Sequence, residues 1–229
     1  MQSQSKVSLK AALLGALGAA IVLGSANATA AMIISEVNPG GSGSSYGVDW
    51  FELTNTGSST VNITGWKMDD NSFSYANSVA LLGATSILAG QSVVFLETSA
   101  SNFNTVSNNF KSAWFGSNTP TALTLGYYTG SGVGLSTSAD GVIVYNSGGS
   151  QMAKVSFGAA SAGKTFDNKA GLDNTSINTI SAVGINGAFL SNNGTETGSP
   201  GVVPVPSAAW LLLSGLGGLG VLGRRKKQS

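Results

Sequence analysis

The chain predicts an all-β domain, a sandwich of two antiparallel sheets, flanked by an N-terminal signal helix and a C-terminal hydrophobic helix. Three observations carry this reading. Charged residues make up only 9% of the 229 residues, far below the usual quarter. Gly, Ser, Thr and Asn stand in their place, which suits short strands joined by turns and starves surface helices of the Glu, Lys and Arg their wet faces need. Next, β-branched and aromatic runs alternate with turn residues through the middle of the chain, with no helical periodicity. Finally, the long apolar runs sit at the two ends, each beside basic residues.

Taken in order, residues 1–31 read as a secretory signal peptide. Lys6 and Lys10 form the positive region and residues 11–23 the apolar one. Ala28, Ala30 and Ala31 then fit the small-residue cleavage rule. An apolar run of that length is short for a membrane span. The first strand is expected over residues 32–37, ended by Asn38-Pro39-Gly40-Gly41, and the second over 48–54, ended by Asn55-Thr56-Gly57. Strands over 61–63 and 65–68 follow, closed by Asp69-Asp70-Asn71. Further strands are expected over 92–97, 123–125, 141–145 and 152–157. Strands spaced by turns in this way point to a sandwich. Residues 100–137 read as inserted loops, 32–191 as the whole domain, and 192–203, rich in Gly, Pro and Thr, as a linker. Trp50, Phe51, Leu53 and Trp66 are read as packing residues, because bulky β-formers supply most buried area in a small sandwich. Asp49 and Glu52, which bracket two aromatics, are read as solvent-facing or turn-bonding carboxylates.

The opening of this domain resembles a known family. Ile34-Ser35-Glu36-Val37, then Asp49-Trp50-Phe51-Glu52-Leu53-Thr54-Asn55, then Gly65-Trp66 is similar to the start of a lamin tail domain. Gly163-Lys164-Thr165-Phe166-Asp167 and Thr197-Gly198-Ser199-Pro200-Gly201 resemble the way such domains end. The resemblance implies an immunoglobulin-like β-sandwich of a kind found in nuclear lamins and in secreted bacterial proteins.

Residues 204–229 form a second recognisable unit. Pro204, Val205, Pro206 and Ser207 stiffen a spacer, Trp210 opens an apolar helix, and Arg224, Arg225, Lys226 and Lys227 close the chain. The helix, about 24 Å long at ~1.5 Å per residue, is short for a bilayer core, and its glycines make it a poor permanent anchor. Trp210 suits the interface, and the basic cluster suits the cytoplasmic side. This order of parts resembles the PEP-CTERM sorting signal of Gram-negative bacteria, with Val205 where the eponymous motif has Glu. The resemblance implies transient membrane insertion and processing by an exosortase, a membrane-embedded cysteine transpeptidase.

The net charge of +1 hides a segregation. Setting aside the basic residues of the two ends leaves five lysines, no arginine and all ten acids, so the domain itself carries −5. Phosphate recognition depends on Lys and Arg, so nucleic acid is an unsuitable partner. The absence of Cys and His excludes disulfides, cysteine nucleophiles and thiolate or imidazole zinc sites. No carboxylate spacing singles out a hydrolytic pair, and the chain is expected to be no enzyme and to hold no cofactor. Asp69, Asp70, Asp167 and Asp173 offer oxygen ligands in loops and are calcium candidates; the plainer reading is that they bond their own turns. Asn62, Asn174 and Asn193 begin N-x-Ser/Thr sequons. The expected function is that of an exported surface or extracellular-matrix protein, structural or interactive. Signal peptidase and exosortase would be its partners during export, and exopolysaccharide or a protein its partner outside. The alternative is a module that binds polysaccharide, calcium or a protein.

Overall fold

The computed structural model describes residues 32–201. The fold opens with β1 (Met32–Asn38), a 3-10 turn (Gly41–Gly43) and β2 (Trp50–Asn55). Four short strands follow: β3 (Val61–Asn62), β4 (Lys67–Asp69), β5 (Val79–Ala80) and β6 (Ser86–Ile87). β7 (Ser92–Glu97) leads through α1 (Phe103–Phe115) to β8 (Thr124–Tyr128). β9 (Asp140–Tyr145) and β10 (Gln151–Phe157) pair antiparallel. β11 (Phe166–Asp167), β12 (Thr175–Ile177), β13 (Phe189–Leu190) and β14 (Thr197–Gly198) complete the fold.

Two five-stranded sheets pack face to face, one in the order β11-β1-β2-β7-β8 and the other β12-β10-β9-β4-β5. Strand alternation decides which side chains fill the space between them. Phe51 and Leu53 of β2 and Val93 and Phe95 of β7 meet Val142, Val144 and Val155 of the opposite sheet, all fully buried. Their neighbours Trp50, Val94 and Leu96 point the other way and join Phe110, Ala113 and Trp114 of α1 in a second apolar cluster. Trp50 meets Phe110 and Trp114 edge-on, with centroids 5.8 and 6.0 Å apart. The first sheet is therefore covered on both faces, and Trp50, Phe51, Leu53 and Trp66 all pack as expected.

A β-bulge in β1 decides which face its acidic residue takes. Ile34 pairs with Leu53 and Glu36 with Glu52, so Ser35 is the extra residue. Strict alternation from Ile34, an inward core residue, would turn Glu36 into the apolar core and Val37 out. The inserted residue reverses this: Val37 joins the core, and Ser35 and Glu36 share the outer face with Glu52.

The structure corrects several expectations. Residues 100–137 are not simply loops, since they contain α1 and β8. Phe103, Val106, Phe110 and Trp114 recur at helical spacing on the face that packs. Its wet face carries Asn104, Thr105, Asn108 and Asn109 in place of charges, which is why a charge-based argument passed over it. The sandwich is mixed rather than antiparallel, because β7 runs parallel to β8 and β10 parallel to β12. A parallel neighbour requires a crossover, and α1 supplies the first. The supposed linker is folded as far as Gly201: β14 pairs with β13, and residues 196–200 are buried.

Candidate functional site

The outer face of β1 and β2 carries a buried polar cluster. Glu36 and Glu52 sit opposite one another on adjacent strands, each fully buried. Lys169 pairs with Glu52, its Nζ 2.6 Å from Oε1. Ser35 Oγ donates to the same oxygen at 2.5 Å, and the Gly201 backbone N–H donates to Oε2 at 2.5 Å. Glu36 Oε1 accepts from Thr165 Oγ1 at 2.5 Å and from the Ser199 N–H at 2.7 Å, while Oε2 accepts from Ser199 Oγ at 3.0 Å. Thr54 Oγ1 lies 2.7 Å from the hydroxyls of both Ser35 and Ser92, which extends the chain of bonds across the sheet. Gly198 is required beside it, because a Cβ there would stand 2.6 Å from Glu36 Oε1 and 2.9 Å from the Thr165 methyl.

Electrostatics divides the cluster unequally. Burial pushes the Glu36 carboxyl up to about 7; Lys169 opposes the shift, and the Glu52 charge reinforces it. Burial works against the charge of Lys169, but Glu52 and Glu36 outweigh it and raise its pKa. One lysine thus faces two carboxylates, and Glu36 holds its proton towards neutral pH. A carboxyl near 7 has the acidity of a general acid or base. Here, however, both oxygens are taken by donors and the residue has no exposure, so no substrate proton reaches it. What the cluster does is fasten residues 165–169 and 198–201 onto the opening hairpin.

The remaining carboxylates are spent mostly on turns. Asp49, 6% exposed, accepts from the Ser42 N–H at 2.7 Å, so it bonds a turn but does not face solvent; nor does Glu52. Asp69 Oδ2 accepts from Ser72 Oγ and the Ser74 N–H, and Asp70 from the Ser72 N–H. Asp167 accepts from the Lys169 N–H and Asn186 Nδ2, Asp173 from the Lys154 N–H and Asn174 Nδ2. Among the described residues no three acids gather into a metal cage, and the four calcium candidates are not brought together. Ser161 and Lys164 stand at the Ser-x-x-Lys spacing of a serine nucleophile and its lysine base, but both are exposed on a turn closed by their own backbone. Asn62, Asn174 and Asn193 are all exposed. Ala28, Ala30 and Ala31, and the tail residues Pro204, Val205, Pro206, Ser207, Trp210, Arg224 and Arg225, lie outside the described residues.

The cluster's two glutamates come from the Ser35-Glu36-Val37 and Trp50-Phe51-Glu52-Leu53 segments that open the fold. A family model for the lamin tail domain matches residues 25–159. The chain belongs to the lamin tail domain family. No curated protein matches it. The lamin tail match takes in both sheets up to β10 and ends before β11. Thr165, Lys169, Ser199 and Gly201, the residues that complete the buried cluster, therefore come from beyond the matched segment. Ser199 and Thr165 lie in the two segments that resemble the end of such domains, but nothing local gives them a role, and Lys169 lies in neither segment. Their glutamate partners are more than a hundred residues away.

Proposed function

We propose that the chain is an exported structural and interaction protein, whose lamin tail domain is delivered by an exosortase to the cell surface or extracellular polymer of a Gram-negative bacterium. One observation carries the reading. The apolar, basic-flanked segments all lie outside a domain whose own charged groups are largely committed to internal contacts. Glu36, Glu52 and Lys169 hold its two ends together, which suits a scaffolding unit that must resist being pulled apart. The −5 charge of the domain and its Asn- and Ser-rich surface favour hydrogen bonding to neutral polymer over capture of anions. Binding of a specific ligand is the second reading, favoured by an open cleft beside Glu196.

Intact-mass analysis of the native protein, fractionated into envelope and medium, tests the proposal. The expected product begins near Ala31, ends near Pro204–Ser207 and lies outside the inner membrane. A chain that keeps Trp210 to Lys227 and stays in the inner membrane overturns it.

A further inference from the structure

A second buried carboxylate is left incompletely bonded beside an open cleft. Glu196, 5% exposed, follows the turn after β13. Its Oε1 accepts from Tyr46 Oη at 2.6 Å and Asn38 Nδ2 at 3.0 Å, and Trp50 Nε1 donates to Tyr46 Oη at 3.0 Å. Its Oε2 is buried and has no donor among the described residues. Burying an acceptor without a donor is costly, so such an oxygen marks a place where a donor is expected. Burial raises the Glu196 pKa, with Tyr46 and Asn38 opposing.

Glu196 and Asn38 border a cleft of about 390 Å³, within the ~300–1,000 Å³ range of small-molecule sites. One wall is the 3-10 turn region, Gly40 to Ser44, and the other is the turn Ala160 to Gly163. Gly163 allows the second wall to lie close: at φ 67°, a Cβ there would collide with the Thr195 carbonyl oxygen. The lining offers hydroxyls from Ser44, Thr137, Ser161 and Thr195, small apolar surface from the alanines and glycines, and no Lys or Arg.

From this lining we infer that the cleft is a binding site for a neutral saccharide. Because Glu196 Oε2 is covered in the unliganded fold, seating a sugar requires the turns at 43–44 and 161–163 to give way so that one sugar hydroxyl donates to that oxygen. Its other hydroxyls exchange bonds with the serine and threonine hydroxyls, while its C–H face rests on Ala160 and Ala162. Phosphate, sulfate and uronate would meet a carboxylate without a compensating cation. The lining contains no aromatic side chain, so single-chain affinity falls in the roughly millimolar range and retention on a polymer depends on repeated contacts. The inference deepens the proposed function and rests on it for the polymer, but the site can fail while export and processing stand.

The test is a ¹⁵N NMR titration of the full chain with maltotetraose, cellotetraose and chitotetraose, and with an oligogalacturonate as the acidic control. At least one neutral sugar is expected to give saturable shifts at the Gly40, Gly43, Gly163 and Thr195 amides and the Trp50 indole N–H. Glu196→Gln, which turns the Oε2 acceptor into a donor, is expected to weaken binding at least ~10-fold. Ala162→Trp, on the exposed rim, is expected to abolish it with the remaining spectrum unchanged. No saturable shift at ~10 mM sugar, stronger binding of the acidic control, or binding unaffected by both substitutions overturns the inference.

Discussion

At the scale of single residues the buried Glu36–Glu52–Lys169 cluster makes the chain's stability depend on pH in a defined direction. Glu36 releases its proton near 4.5 when exposed and near 7 in the fold. Between those values the folded state holds a proton that the unfolded chain has lost, so the contribution favours folding fully below pH 4.5 and is lost as pH rises through 7. Its magnitude is on the order of 3 kcal/mol. Urea denaturation from pH 4 to 8 is expected to show this decline, and Glu36→Gln is expected to flatten it. A glutamine keeps one acceptor for Thr165 and the Ser199 N–H and offers its amide to Ser199 Oγ. A steeper decline in the variant would sink the assignment. Lys169→Met removes the cation from Glu52 while keeping most of the stem. Leaving that carboxylate buried without its ion-pair partner is expected to cost about 3–5 kcal/mol at pH 7. Joining Glu52→Gln to it is expected to recover most of the loss, because a neutral pair no longer buries an uncompensated charge.

Secondary-structure elements impose their own constraints. The bulge at Ser35 is the device that lets an acidic residue occupy β1 without entering the sandwich core. Deleting Ser35 removes the bulge yet leaves Glu36 outward and Val37 inward, because Glu36 then follows inward-facing Ile34 directly. What is lost is the hydroxyl that bonds Glu52 and Thr54. The expected result is a folded chain less stable by about 1–3 kcal/mol in urea denaturation; loss of cooperative unfolding would show that the strand needs the bulge itself. The α1 helix forms because its apolar residues have Trp50, Val94 and Leu96 to pack against, not because its sequence favours helix. Asn and Thr rank low in helix propensity, and tertiary packing is what holds most helices in proteins. Trp114→Ala is accordingly expected to cost about 3–5 kcal/mol, whereas Asn108→Ala on the exposed face stays within ~0.5 kcal/mol. Thermal denaturation of the two variants separates a packed helix from a loosely attached one.

Over the whole molecule, the domain extends past its family match. Residues 160–201 contribute β11 to the first sheet, β12 to the second and the donors that satisfy Glu36 and Glu52. A chain ending at residue 159 leaves both carboxylates buried or half-exposed without their partners and is expected not to fold. A chain of residues 32–201 is expected to melt within a few degrees of the mature protein. Comparing the two by circular dichroism decides where the cooperative unit ends, and a folded 32–159 fragment would make the later strands an appendage.

Elements with a local cause were legible along the chain. Turn residues after Val37, Thr54 and Met68 placed the first strands, and β-branched runs placed β7, β9 and β10 nearly to the residue. The apolar and basic ends, and the motifs resembling a lamin tail opening, were legible because their signal lies in a few contiguous residues. Long-range packing, by contrast, sets which face each residue serves once a bulge shifts the alternation. It also decided that an Asn-rich segment is a helix, and that Glu36 and Glu52 are buried beneath Lys169 and Ser199. The physical reason is common to all three. A charge can enter the interior only where partners from distant parts of the chain meet it, and a weak helix persists only where another element covers it. Both conditions depend on contacts between residues far apart in the chain, which no local pattern encodes.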